Sequence, residues 1–258
     1  MAGPSPHLDL TTLVIPMWNE TGRIRSTVEQ IAASAMAPGL ELVLVDDGST
    51  DDTAAVARTA LAAVALPGEV VGGLARGGKG RAVQVGVRRA TGTVVAFADA
   101  DLSAGPEEIE RLVASVRAGR GDVVIGNRRD PRSVISTHPP WPRRLAARGF
   151  NLTCRALGLT SRADTQCGLK AFTAPAARDV FADLVSSGFA FDVEILARAE
   201  RLGLRVHEEP VIWSHDRSTS VRIARHASGT LRDLARIRRR YGSIRHPKPV
   251  GPELSGER

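Results

Sequence analysis

Asp99 and Asp101 stand one residue apart in VAFADADLSAGP (95–106), where a run of small apolar residues ends. Two carboxylates delivered together by a buried strand repel each other unless a cation lies between them. Mg2+ and Mn2+ take oxygen ligands of this kind and can bridge a diphosphate at the same time. The plainer reading is that Asp101 only caps the following turn. Three other apolar runs end in polar clusters, PMWNE (16–20), DDGSTD (46–51) and RGGKG (76–80). In open α/β sheets ligands sit outside the carboxyl ends of the strands, so four such ends describe one site.

The elements that must carry these clusters follow from the apolar periodicity. TTLVIP (11–16), LELVLVD (40–46), GEVVGG (68–73), TVVAFAD (93–99) and DVVIGN (122–127) read as strands. Helices are expected over 21–37, 51–65, 79–90 and 106–118, with Pro106 opening the last. This alternation predicts a Rossmann-like, predominantly parallel sheet flanked by helices. Beyond 127 come a Pro- and Arg-rich loop (128–142), a helix through RRLAARGFNLTCRALG, the stretch DTQCGLKAF, and a helix over 191–202. A strand near LRVHEEPVIW and a basic amphipathic helix over 221–241 complete the pattern. With no linker or repeat, the chain is expected to form one α/β domain over 11–220, followed by the amphipathic helix. Residues 1–10 and 242–258 are expected to be flexible ends.

At 258 residues with 43% hydrophobic and 24% charged content, the chain can bury a full core. The formal charge is +7, and 32 of the 35 basic residues are arginine. Aromatics at 4% are too scarce for a base-stacking surface, so phosphate or lipid headgroups fit this charge better than nucleic acid. Cys154 and Cys167 lack the spacing of a disulfide framework or a metal site and are expected to be packed thiols in a reducing compartment. No leader pattern and no 18-residue apolar run occurs, so a soluble or peripheral protein is expected.

Two phosphate-binding motifs are excluded. The turn after the first strand holds Pro16, Trp18, Asn19 and Glu20 rather than G-x-G-x-x-G. GLARGGK (73–79) spells a phosphate loop, but Gly80 stands where the Mg2+-binding hydroxyl belongs. A glycine-rich turn with Lys79 entering a helix can still hold a diphosphate. In DDGSTDDT, Ser49 or Asp51 caps the following helix, and Asp46 or Asp47 can accept from a nucleobase or ribose.

In their order and spacing, VIPMWNE, VLVDDGSTDDT, GGKGRAVQVGVRRATG, VVAFADADLS and DTQCGLKAF resemble the family 2 glycosyltransferases of the GT-A fold. Within that family the chain is most similar, over about residues 11–240, to the dolichyl- and polyprenyl-phosphate glucosyl- and mannosyltransferases. The resemblance implies that Pro16, Asn19, Glu20 and Asp46 or Asp47 line the nucleotide pocket and that Lys79 approaches the diphosphate. Asp99 and Ala100 would meet the sugar nucleotide, and Asp99 and Asp101 would hold Mg2+ or Mn2+. Arg128, in a GNRR turn like the family's G-S-R, would meet the acceptor phosphate, with Arg144 or Arg148 as a second contact. Arg129, Arg132 and Arg143 read as solvated. Asp164 would orient sugar or acceptor, and Gln166 and Gly168 would lie beside it.

Departures from the family pattern are Ser103, where mannosyl-transferring relatives often carry Gln, and WSHDRSTSVR (213–222), which lacks the relatives' G-S-K. His215, Arg217 or Arg222 would replace that phosphate contact. Asp192 and Glu194, two apart on a helix, cannot both face the site. The implied activity is an inverting, metal-dependent transfer of a hexose, glucose before mannose, from UDP-glucose or GDP-mannose to a polyprenyl phosphate. It would take place at the cytoplasmic face of a membrane, with Asp101, Arg128 and Asp164 as the catalytic set. The 221–241 helix would lie either on an anionic membrane or on the core. A same-fold transferase acting on a small soluble acceptor is the alternative.

Overall fold

A computed structural model describes residues 10–137, 141–214 and 223–242. His215, Arg217 and Arg222 lie outside them. Five strands, β1 (Thr11–Met17), β2 (Leu40–Asp46), β3 (Gly68–Val71), β4 (Val94–Phe97) and β5 (Val123–Asn127), occur where the β-branched runs place them. Two more, β7 (Lys170–Thr173) and β8 (Val206–Pro210), complete a sheet of order β3-β2-β1-β4-β7-β5-β8. Every pairing is parallel except those of β7, which runs antiparallel between β4 and β5.

Both faces of the sheet are buried, which is why its strands read as continuous apolar runs. Leu13, Ile15, Met17, Leu42 and Leu44 point into one core. Val14, Val43, Val45, Val95 and Phe97, at the alternate positions, point into the other. The first core is covered by α1 (Ile24–Ala32), α2 (Thr53–Ala62) and α4 (Pro106–Arg117). The second is covered by α3 (Lys79–Arg89), α6 (Ala174–Phe181) and α7 (Phe191–Arg201).

Three features depart from the sequence expectation. The strand expected over 204–213 is two strands, because at Pro210 the chain leaves the main sheet. There β9 (Ile212–Ser214) pairs instead with an unexpected β6 (Val134–Thr137). The segment KAFT forms β7 although it opens on a lysine, a residue that contradicts a buried-strand pattern. Thr173 then caps α6 by accepting from the Ala176 N–H, so strand and helix follow without a loop.

The helix α5 (Trp141–Ala156) precedes β7, and α8 (Ile223–Tyr241) comes last. Leu234, Ile237 and Tyr241 of α8 are buried against Cys154, Leu159, Val193 and Ala197. Of the two placements open to this helix, the described part lies on the core, with Arg232, Arg236, Arg239 and Arg240 outward and Arg238 half-buried. Burial pushes the Cys154 thiol up to about 12 and the Cys167 thiol up to about 11, so both stay protonated near neutral pH. Leu234→Ala is expected to cost about 2–5 kcal/mol in urea unfolding. An unchanged midpoint would mean that α8 does not pack there.

Candidate active site at the carboxyl edge of the sheet

β1 pairs with β2 on one side and with β4 on the other, so the chain order reverses between β1 and β4. Loops on the two sides of such a point diverge and leave a crevice at the carboxyl edge. The loops after β1, β2, β3, β4 and β5 all open on this edge. Because β7 is antiparallel, its beginning lies there too, with Lys170 in register with Phe97 and Ile125. That reversal brings 164–169 beside the loop that carries Asp99 and Asp101.

The clusters expected to line a nucleotide pocket hold one another. Asp47 accepts from the N–H groups of Gly77 and Gly78, both at 2.8 Å, and so ties the β2 loop to the glycine-rich turn. Asp46 accepts from the Ser49 N–H at 3.2 Å and from its hydroxyl. Asn19, in the left-handed region at φ 55°, accepts from the Thr50 N–H at 2.8 Å and donates its own N–H to Ser49 Oγ at 2.9 Å. Glu20 donates its N–H to Thr53 Oγ1 at 2.7 Å, and its carboxylate meets Arg23 at 2.8 Å. Pro16, half-buried in β1, stands opposite Val45. Asp51 accepts from the Thr53 N–H at 3.0 Å, one residue before Asp52, which occupies the N-cap position of α2 without a side-chain bond. At the rim the Arg76 guanidinium lies 3.5 Å from the Trp18 ring centroid, a cation–π stack between two loops.

Deeper in the crevice, buried charges alternate in sign. Lys79, the first residue of α3, meets Asp99 at 2.5 Å. Burial works against the Lys79 ammonium, but Asp99, Asp192 and Asp101 outweigh it and hold its pKa above the ordinary lysine value. Lys170 is fully buried and donates to Asp192 at 2.6 Å and to the Cys167 carbonyl at 2.7 Å, with the Phe97 ring centroid 5.3 Å away. A side chain at Gly168 would overlap the Asp99 carboxylate, so glycine is required there for Asp99 to fit.

Asp101 is the exception. It accepts from the Ser103 N–H at 3.0 Å, which is the turn-capping role, but no basic side chain among the described residues forms a salt bridge with it. Burial and then Asp99 push its carboxyl above the usual aspartate range. Leu102 beside it is held at φ 44°, a strained conformation for leucine. Ala100 turns its carbonyl to the Thr27 hydroxyl at 2.6 Å.

Arg128 grips Asp164 through Nε at 2.7 Å and Nη2 at 2.9 Å, and its backbone N–H donates at 3.0 Å. The guanidinium also lies 4.9 Å from the Trp213 ring centroid. Burial alone would raise the Asp164 carboxyl, but Arg128 outweighs it and holds the group below 3.8. Asp164 takes three of Arg128's donors, and no partner of its Nη1 is found among the described residues. Trp213 belongs to β9, whose Ser214 N–H donates to the Ser103 carbonyl at 2.7 Å. The acidic loop and the Arg128 platform are thereby joined.

The structure brings together Lys79, Asp99, Ala100, Asp101, Arg128, Asp164 and Gly168, while Gln166 is half-buried in the same 164–169 segment. Arg144 and Arg148 are on the exposed face of α5, and Arg129 and Arg132 are exposed as expected. Asp192 faces the crevice while Glu194 turns away, accepting from the Val185 and Ser186 N–H groups at 2.8 and 2.7 Å. Sequence reasoning missed Lys170, Trp213 and the Trp18–Arg76 stack. A lysine inside an otherwise apolar strand was the available signal for the first. For the other two, no signal exists in the local sequence.

A family model described as Glycosyl transferase family 2 matches residues 12–181. The chain belongs to glycosyl transferase family 2. A dolichyl-phosphate beta-glucosyltransferase of Drosophila melanogaster is 32% identical over 81% of this chain and 68% of its own length. An undecaprenyl-phosphate 4-deoxy-4-formamido-L-arabinose transferase of Pseudomonas paraeruginosa is 35% identical over 75% of this chain and 59% of its own. Glycosyltransferase AglD of Haloferax volcanii is 31% identical over 84% of this chain but only 35% of its own length, so the chain spans about a third of that protein. Glucosyl-3-phosphoglycerate synthase from Mycobacterium tuberculosis shares the GT-A fold, with a TM-score of 0.67 at 20% identity over 89% of this chain and 79% of its own. The family 2 glycosyltransferase fold expected from the motifs is thus the one observed.

Two outcomes follow from the charge pairs of this glycosyltransferase. Lys170→Met leaves Asp192 buried without its cation and is expected to cost on the order of 3–5 kcal/mol in chemical unfolding. The Asp164 carboxyl is depressed in the fold, so its contribution to stability is complete above 3.8 and is lost as pH falls below it. The stability gap between the wild type and Asp164→Asn should therefore be widest near neutral pH and narrow below 3.8. A gap independent of pH would contradict the ion pair.

Proposed function

We propose that this glycosyltransferase moves a hexose, with glucose favoured, from a nucleoside diphosphate sugar to a polyprenyl phosphate at a membrane surface. The observation that carries the reading is one crevice with two polarities. An acidic pair with one member unmatched lies at one end, and an arginine with a free edge lies at the other. The activities for which the dolichyl- and undecaprenyl-phosphate relatives are named support a lipid phosphate acceptor. The Mycobacterium tuberculosis neighbour, described in complex with Mn2+ and UDP-glucose, supports a metal-assisted nucleotide-sugar donor.

The residues present fit a hard divalent cation. Among the described residues no cluster of three acidic, histidine or cysteine side chains exists, so this is a two-carboxylate site that needs further oxygens from its substrate. Asp99 and Asp101 would hold Mg2+ or Mn2+, which would supply neutralisation of the charge growing on the leaving diphosphate. Lys79, already aimed at Asp99, adds a second positive charge on the same side. Asp164 fixes the Arg128 fork so that its outer edge receives the acceptor phosphate in one orientation. That phosphate is ionised at neutral pH and needs no general base. Its oxygen attacks the anomeric carbon as the bond to the diphosphate breaks, and holding the two in line is the main contribution of the protein. Asp101, Arg128 and Asp164 are the catalytic set in this reading, with Gln166 beside the sugar. Pro16, Asn19 and Asp46 shape the nucleotide end.

No helix among the described residues is long and apolar enough to cross a membrane, and the reading places the enzyme peripherally on the cytoplasmic face. A second reading is favoured by the neighbour's complex with phosphoglyceric acid, a small acceptor that presents the same phosphate chemistry. Thermal-shift titration with UDP-glucose and GDP-mannose, each with Mn2+, identifies the donor, since a ligand stabilises in proportion to log concentration over Kd. UDP-glucose is expected to shift the midpoint, and a shift with GDP-mannose alone would reassign the donor. Asp101→Asn is expected to lower transfer to a polyprenyl phosphate by about a hundredfold or more. Near-normal transfer by that variant, or wild-type transfer only to phosphoglycerate, would overturn the reading.

A further inference from the structure

Helix α5 turns inward with Phe150 and Cys154, but three of its large apolar residues point the other way. Trp141, Leu145 and Leu152 are 74%, 62% and 69% exposed, while Asn151 and Cys154 face inward. At ~100° per residue the three exposed residues fall on one stripe. Arg144, Arg148 and Arg155, all exposed, fall on the adjoining stripe, between the apolar residues and Asn151. The helix sequence WPRRLAARGFNLTCRA contains no acidic residue. Scattered exposed leucines need no explanation, but tryptophan and two leucines aligned on one exposed stripe, with arginines along one flank and small residues along the other, do.

We infer that α5 is the surface by which the protein docks on an anionic lipid bilayer, with Trp141, Leu145 and Leu152 inserted at headgroup depth. The inference rests on the proposed lipid-phosphate acceptor and names the partner of that site. An anionic lipid surface is the occupant that matches both stripes. Apolar side chains enter the acyl boundary, tryptophan favours the interface, and arginines meet phosphates. The orientation of the helix agrees with the site. Asn151 Oδ1 accepts from the Thr165 hydroxyl at 3.0 Å, and Thr165 adjoins Asp164, which holds Arg128. The arginine stripe lies on the Asn151 side of the apolar one, so it borders the edge of α5 nearest the acceptor platform. A lipid phosphate leaving the headgroup layer there would meet arginines before Arg128. The basic helix α8 is less suited, since Leu234 and Ile237 are spent on the core and only Leu231 stands out at 58% exposure.

The test uses the full chain with vesicles of phosphatidylcholine alone and of phosphatidylcholine mixed with phosphatidylglycerol. Wild type is expected to sediment with the mixed vesicles and not with the neutral ones, and its tryptophan emission should shift to the blue. The double variant Leu145→Gln/Leu152→Gln, exposed and folded by its unchanged melting curve, should bind the mixed vesicles roughly tenfold more weakly or less. It should keep its transfer to a short-chain, water-soluble prenyl phosphate. Trp141→Phe should abolish the blue shift, because Trp213 is buried and Trp18 is stacked on Arg76. Unchanged vesicle binding by the double variant overturns the inference, as does a change in its oligomeric state alone, which would make α5 a contact between copies. Vesicle binding that depends on Leu145 and Leu152 without transfer to any prenyl phosphate would leave the docking surface standing and remove the acceptor reading.

Discussion

Buried negative charge at the end of a parallel sheet must be matched, and the crevice is organised around that constraint. A carboxylate withdrawn from water loses far more than it regains unless a cation or several N–H groups replace its hydration. Asp99 has Lys79, Asp192 has Lys170, Asp164 has Arg128, and Asp47 has two backbone N–H groups of the glycine-rich turn. Each match joins two segments distant in sequence, so neutralising the acids also assembles the loops. Asp101 has the Ser103 N–H and hydroxyl and the attraction of Arg23, but no salt bridge among the described residues. Burial with the like charge of Asp99 still raises its carboxyl, an imbalance that makes the site receptive to a cation.

The reversal of β7 makes the matching possible. A strand running antiparallel between β4 and β5 begins where its neighbours end, and DTQCGLK is thereby delivered to the acidic edge. Gly168 leaves room for the Asp99 carboxylate, and Lys170 is fully buried beside the Phe97 ring, where only a paired ammonium is stable. The small β6–β9 sheet then lays Trp213 against Arg128 and ties Ser214 to Ser103, so the two ends of the crevice share one support. Rigidity of this kind suits a reaction whose catalysis is positioning and charge neutralisation.

The two long basic helices show how one composition can serve opposite ends. In α8 Leu234, Ile237 and Tyr241 face the core and most of the described arginines face water, the ordinary arrangement of an amphipathic helix. In α5 the inward side is Phe150, Asn151 and Cys154 while Trp141, Leu145 and Leu152 look outward. Hydrophobic periodicity registers both helices but is silent about which side meets the body of the protein. The difference appears only when burial is known.

The amino-acid sequence by itself determined the parallel α/β frame, the strand ends that carry chemistry, and the family. Continuous β-branched runs can be buried only between helix layers, and the polar clusters that end them are local and contiguous. Asp99, Asp101 and Lys79 were legible for that reason, while Arg128 and Asp164 were reached through the family resemblance of GNRR and DTQCGLKAF. Tertiary structure alone decided that KAFT is a reversed central strand, that Lys170 lies inside it, and that LRVHEEPVIW divides between two sheets. It also decided that Asp47 is spent on the glycine-rich turn, Asn19 on the β2 loop, and Asp46 on Ser49 of its own loop. These outcomes depend on pairings across long stretches of chain and on the energetic need to match each buried charge. Such matching is a property of the folded interior and leaves no local period in the sequence.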